Sequence, residues 1–136
     1  MEGEAALMFA CKNGYERCAL ALIENGVNVE AVDENGVSAL MQACEGGHEL
    51  CARALIEAGA DIDKGEEDDW TALMFACQNG HDPCARALIE AGADIDKGEE
   101  DDYTALIFAC QNGHEQCARA LIEAKANLES QQNGGF

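Results

Sequence analysis

The chain repeats itself every 33 residues, and that spacing restricts the fold more than any other feature. The stretch "KGEEDDWTALMFACQNGH", Lys64 to His81, returns as "KGEEDDYTALIFACQNGH", Lys97 to His114. Residues 64–96 and 97–129 agree at 25 of 33 positions. The same step runs through Ala6, Ala39, Ala72 and Ala105, and through Gly14, Gly47, Gly80 and Gly113. It also orders two cysteine series: Cys11, Cys44, Cys77 and Cys110, then Cys18, Cys51, Cys84 and Cys117. Four copies result, about 4–36, 37–69, 70–102 and 103–135, within a single domain over 1–136 that closes on a flexible tail at 130–136. A unit this short cannot bury its own apolar face, so the copies must stack.

Each copy reads as two short helices and a turn. In the third, Thr71 is placed to cap a helix whose Leu73, Ala76 and Cys77 follow 3, 4 spacing, and Asn79-Gly80 stops it. His81 and Asp82 open a second helix with Pro83 in its first turn. Cys84, Ala87, Leu88 and Ala91 mark its buried stripe, and Gly92 closes it in the left-handed conformation. The following "ADIDKGEEDD" has no helical period and predicts an extended finger. With 48% apolar residues, 5% aromatics and one proline, the helices are expected to approach closely through small side chains.

"TALMFACQNGHDPCARALIEAGADID" resembles the ankyrin repeat: a Thr-Pro-Leu-His opening, Gly-His between helices, and Gly-Ala-Asp-Val-Asn after the second helix. The resemblance covers nearly the whole chain and implies an all-α ankyrin-repeat solenoid of helix-turn-helix pairs with β-turn fingers. The departures are local. The family's proline is Ala39, Ala72 and Ala105 here, and its first-helix histidine is Met8, Met41, Met74 and Ile107. The family's hydrogen bond from threonine to histidine is therefore absent. Its finger glycine survives as Gly36 but becomes Asp69 and Asp102, which predicts differently bent tips.

Cysteines and histidines recur as Cys44/His48/Cys51, Cys77/His81/Cys84 and Cys110/His114/Cys117, which are zinc-ligand types. The spacing lacks the close pairs of structural zinc sites, and the first copy has Tyr15 in place of histidine. The cysteines are expected as buried, reduced thiols in place of the family's core Ala and Val, and the histidines as starts of second helices. No triad, phosphate loop or calcium loop is present, so neither catalysis, metal nor cofactor is expected. Arg53, Arg86 and Arg119 stand four before Glu57, Glu90 and Glu123, as exposed helix pairs.

The net charge of −19 disfavours nucleic acid and anionic membrane as partners and favours a basic one. Residues 61–69 and 94–102 carry six acids and one lysine each, which is −10 of the total. By the resemblance, fingers and exposed first-helix positions line a concave groove. The residues pointing there are Glu34, Asn35, Val37, Glu45, Glu67, Asp68, Trp70, Gln78, Asn79, Glu100, Asp101, Tyr103, Gln111 and Asn112. The expectation is a non-catalytic protein-binding module taking a basic extended peptide, with Trp70 as an exposed anchor. The alternative is a consensus-like or excised scaffold with no dedicated ligand. The absence of an export signal or an 18-residue apolar run predicts an intracellular, cytoplasmic protein. Apolar end faces, lidded only by Lys125, Leu128 and the tail to Phe136, predict end-to-end association or a longer native chain.

Overall fold

A computed structural model describes residues 2–126, so the expected tail at 130–136, with Leu128 and Phe136, lies outside the described residues. Among them the chain forms eight helices and no strand. The helices are α1 (Glu2–Asn13), α2 (Glu16–Glu24), α3 (Ala39–Gly46), α4 (Glu49–Glu57), α5 (Ala72–Gln78), α6 (Asp82–Glu90), α7 (Ala105–Gln111) and α8 (Glu115–Glu123). The odd helices pack in one layer, α1 on α3 on α5 on α7, and the even helices in a second, α2 on α4 on α6 on α8. This is the all-α solenoid expected from the period.

Three of the four first helices, α3, α5 and α7, begin where a hydroxyl can take up a free backbone N–H. Ser38 Oγ accepts from Met41 N at 3.2 Å, Thr71 Oγ1 from Met74 N at 3.4 Å, and Thr104 Oγ1 from Ile107 N at 3.4 Å. The methionines do part of the work of the missing histidine. Met41 Sδ and Met74 Sδ each accept from the cap N–H, of Ser38 and Thr71, at 3.5 Å. Ile107 has no such acceptor.

The core is a file of alanines and cysteines with one buried leucine in each of six helices: Leu7, Leu40, Leu55, Leu73, Leu88 and Leu121. Burying one such leucine contributes about 2 kcal/mol relative to leaving it in water. The small residues let the helix layers approach closely. Ala91, expected on the buried stripe of α6, is exposed instead, because the helix has ended at Glu90.

Histidine and glycine interlock successive pairs. The backbone of His48, His81 and His114 starts the second helices, but none of their rings caps them. The rings lean onto the preceding pair: His48 Nε2 donates to Lys12 O at 3.0 Å and His114 Nε2 to Gln78 O at 2.9 Å. A carbonyl only accepts, so Nε2 carries the proton. Each ring occupies the space a side chain would need at the facing glycine. A Cβ on Gly80, at φ +76, would lie 2.6 Å from His114 Nδ1.

The arginines pair otherwise than expected. Arg53 holds Glu49 at 2.8 Å and Glu90 of the next pair at 3.2 Å, while Arg86 reaches Asp82 at 3.8 Å and Glu123 at 3.5 Å. Arg119 pairs with Glu115 at 2.7 Å. At this spacing an acid one turn before the base is the better orientation, and each arginine takes the carboxylate of the preceding turn.

Candidate partner-binding site

Three fingers share one construction, in which a carboxylate folds the tip. Asp33 Oδ1 accepts from Asn35 N at 2.8 Å and Val37 N at 2.9 Å. Glu66 Oε1 accepts from Asp68 N and Trp70 N at 2.7 and 2.9 Å, and Glu99 Oε1 from Asp101 N and Tyr103 N at the same two distances. The tips also bend alike. Asp69 and Asp102 adopt φ +67 and +68 beside +82 at Gly36, so the expected difference is absent. Aspartate tolerates the left-handed region better than most side chains, and the carboxylate brace holds it there.

Adjacent fingers are joined main chain to main chain. Glu67 N donates to Asn35 O at 3.0 Å and Glu100 N to Asp68 O at 3.1 Å. Lower down, Glu30 Oε2 accepts from Asp61 N and Asp63 Oδ1 from Asp94 N, both at 2.8 Å, and Lys97 Nζ donates to Asp63 O at 2.9 Å. These bonds bring Glu34, Glu67, Asp68, Glu100 and Asp101, all exposed, onto one stacked rim. In this crowding a hydrogen bond with Asp68, and then its charge, hold the Glu100 carboxyl above the ordinary glutamate value.

Beneath the rim the rings form a stack that alternates between pairs. Trp70, expected as an exposed anchor, is half-buried, with its ring 4.4 Å from Phe108 and 5.1 Å from Phe75. Tyr103, also half-buried, lies 5.9 Å from Phe108. Trp70, Glu99, Asp101, Tyr103 and Phe108 line a cavity of about 380 Å³. Sequence reasoning found Trp70, Asp101 and Tyr103 and missed Glu99 and Phe108. The signal was there: Phe75 and Phe108 follow Trp70 and Tyr103 by five residues in successive copies. Val37 is half-buried at the ring position of the finger before, while Glu45, Gln78 and Gln111 stand at the ends of α3, α5 and α7 and do not line the cavity.

The thiols divide. Cys11, Cys44, Cys51, Cys77, Cys84 and Cys117 are buried; Cys18 and Cys110, expected to be buried, are exposed, because no described helix covers those faces of α2 and α7. Burial pushes the Cys11 thiol up to about 12, and hydrogen bonds to Cys84 and Cys117 together with burial keep Cys44 and Cys77 protonated. Among the described residues no group of three or more His, Cys, Asp or Glu is placed to hold a metal ion. No helix there is long and apolar enough to cross a membrane.

The sequence profile described as ankyrin repeats (3 copies) matches residues 2–66 and 63–132. The chain belongs to the ankyrin repeat family. Among solved structures it is similar to the crystal structure of the human ASB11 ankyrin repeat domain, at 34% identity and a TM-score of 0.84. The alignment covers 93% of this chain and 57% of that one, so this ankyrin array spans little more than half the length of its structural relative. A search of curated proteins found no significant match. Ankyrin repeats are in general protein–protein interaction modules without catalysis.

Proposed function

We propose that this ankyrin array is a non-catalytic interaction module that takes up a basic, extended protein segment along its acidic fingers. One observation carries the reading: inter-finger backbone bonds hold Glu67, Asp68, Glu100 and Asp101 in register on a rim directly above the rings of Trp70 and Tyr103. Carboxylates would steer the segment and set its register, and the rings would supply contact energy. Extended chain advances about 3.3 Å per residue, so basic side chains about three residues apart would match successive fingers. Glu34, Val37, Glu45, Gln78 and Gln111 belong to the same proposed surface at its edges. The same charge argues against nucleic acid and membrane partners, and six buried free thiols suit a reducing, intracellular compartment. Exposed Tyr15, at 62%, which holds the position from which later histidines reach the preceding pair, supports end-to-end contact between copies as a secondary association.

The scaffold reading has its own support, since Asp33, Asp63, Glu66 and Glu99 spend their carboxylates on internal bonds. Binding of a labelled peptide, Arg-Ser-Gly-Lys-Ser-Gly-Arg, separates the two. The interaction reading expects affinity that falls steeply with salt and association slowed in the variant Glu67→Gln/Asp68→Asn/Glu100→Gln/Asp101→Asn. Identical binding by that variant and the parent refutes it.

A further inference from the structure

We infer that the chain stacks head to tail on a second molecule of itself, the last repeat of one closing on the first repeat of the next. The register is that of the internal junctions, with Cys110 against Cys18 and Arg119 against Glu24; this rests on the end-to-end association above. Each internal junction is built from apolar contacts, a thiol pair and, between later repeats, an ion pair. All three leave matching halves at the two ends of the chain.

Burial along the stack separates the two faces of a repeat. Leu73, Met74, Cys77 and Ala85 are buried in the third repeat, whereas their equivalents Leu106, Ile107 and Ala118 are half-buried and Cys110 is exposed. These positions therefore face the following repeat. Cys117, Ala120 and Leu121 are buried in the fourth repeat, whereas in the first Cys18 and Ala21 are exposed and Leu22 is half-buried. These face the preceding repeat. The first repeat thus offers the same Cys, Ala and Leu with which the fourth closes on the third. The fourth keeps the surface that receives them, with Ile107 in place of Met74. Solenoids cap such faces with polar residues, but at these positions both faces stay apolar.

The thiols count out the same way. Cys11 hydrogen-bonds with Cys51, Cys44 with Cys84 and Cys77 with Cys117, each pair joining a first helix to the second helix of the next repeat. Cys117 Sγ also donates to Ala76 O at 4.0 Å across the last of these junctions. Of the eight cysteines the two left over are Cys110 on α7 and Cys18 on α2, and both are exposed. Stacking one molecule on the next makes them the fourth pair of the series. The arginines repeat the pattern. Arg53 reaches Glu90 and Arg86 reaches Glu123 of the following repeat, so Arg119 is placed for the equivalent acid, Glu24, of the next molecule. Its side chain is 62% exposed, against 39% and 40% for the other two. Only the histidine lock lacks its counterpart, because Tyr15 holds the position of the ring. The junction is therefore weaker than those inside the chain. A heterologous contact of this kind leaves a free end after each addition.

Sedimentation velocity of the full chain in reductant reads the association across concentration. Each molecule carries −19, so association should grow with sodium chloride, the opposite sign to binding of a basic segment. Ala21→Gln, a change at an exposed position, should weaken association at least tenfold by overfilling the junction while helical circular dichroism stays unchanged. Tyr15→His supplies the lock, by analogy with His48 and His114, onto Gln111 O. It should tighten association about fivefold, the worth of one net hydrogen bond, and Gly113→Ala should cancel the gain. Glutathione disulfide then traps the register. One protein thiolate displaces a glutathione to give a mixed disulfide, and the second thiolate displaces the other; the oxidant takes the electron pair, and the two thiol protons pass to the released glutathiones. Mass mapping should find Cys110 joined to Cys18. Associated protein that links like cysteines, forms no link between Cys18 and Cys110, weakens with salt or ignores Ala21→Gln and Tyr15→His overturns this register and leaves end-to-end association standing. A protein that stays monomeric at every concentration and salt overturns both.

Discussion

Two glycines in the same tetrapeptide should respond very differently to alanine. Gly80 and Gly113 both sit in "QNGH", at φ +76 and +74, so alanine strains the backbone equally at each, by about 1–2 kcal/mol. Only Gly80 faces a histidine. Its new methyl would lie 2.6 Å from His114 Nδ1, whereas a methyl on Gly113 meets nothing within 4 Å among the described residues. The ring must swing out, which breaks the bond from Nε2 to Gln78 O, a net loss of about 1 kcal/mol. Losing the packing of the ring against the facing turn adds a contribution of about the same size. Gly80→Ala should therefore cost about 2 kcal/mol more than Gly113→Ala, a further drop in melting temperature of roughly 6 °C for a chain of this length. Urea unfolding followed by circular dichroism measures both variants, and combining Gly80→Ala with His114→Ala closes a double-mutant cycle. In the His114→Ala background the excess should vanish. Equal costs for the two glycines, or a coupling below about 0.5 kcal/mol, would refute the interlock.

Further outcomes follow from other contacts. Lys125 sits at φ +72 where earlier copies have glycine, so Lys125→Gly should stabilise the chain by about 0.5–1 kcal/mol, read as a higher melting temperature. Glu66→Ala strips the brace from Asp68 N and Trp70 N and should cost about 1–2 kcal/mol, whereas Glu66→Gln, which keeps an acceptor, should cost far less; amide exchange at those two residues distinguishes them. Glu100 titrates above its unfolded value, so its contribution to stability is fully present below that value and lost as pH rises through the folded one. Melting temperature at low salt should rise as pH falls from 7 toward the glutamate range, and Asp68→Asn should flatten the rise. A thiol reagent should label Cys18 and Cys110 rapidly in the folded protein and the six buried cysteines only on unfolding; a third fast thiol would contradict the packing.

The fold was legible because its determinants are local and repeated. Thr71 as a cap, Gly92 as a left-handed close and the apolar spacing of α5 each need only a few neighbouring residues. What escaped depends on the neighbouring unit. Arg53 looked like a partner for Glu57 within its own helix, but the favoured acid-first spacing and the approach of α6 gave it Glu49 and Glu90. Trp70 looked exposed because its own copy offers only Phe75 beside it; Phe108 of the next copy, 38 positions on, packs closer still. Cys18 and Cys110 share their sequence setting with buried thiols and differ only in which layer neighbour exists. Part of the acidic cluster also served the fold: Glu66 and Glu99 were counted as charge and turned out to be braces.

The histidine that leans on the previous glycine gives the stack a grammar. A unit carrying that ring can follow a unit that presents a bare glycine, so the second, third and fourth copies share this one matching edge. The first copy has Tyr15 where the ring should be, and Tyr15 stands exposed. It can lead but cannot follow. At this edge, then, copy order is set by which unit brings the ring and which the bare glycine, and the tyrosine unit fits only at the head.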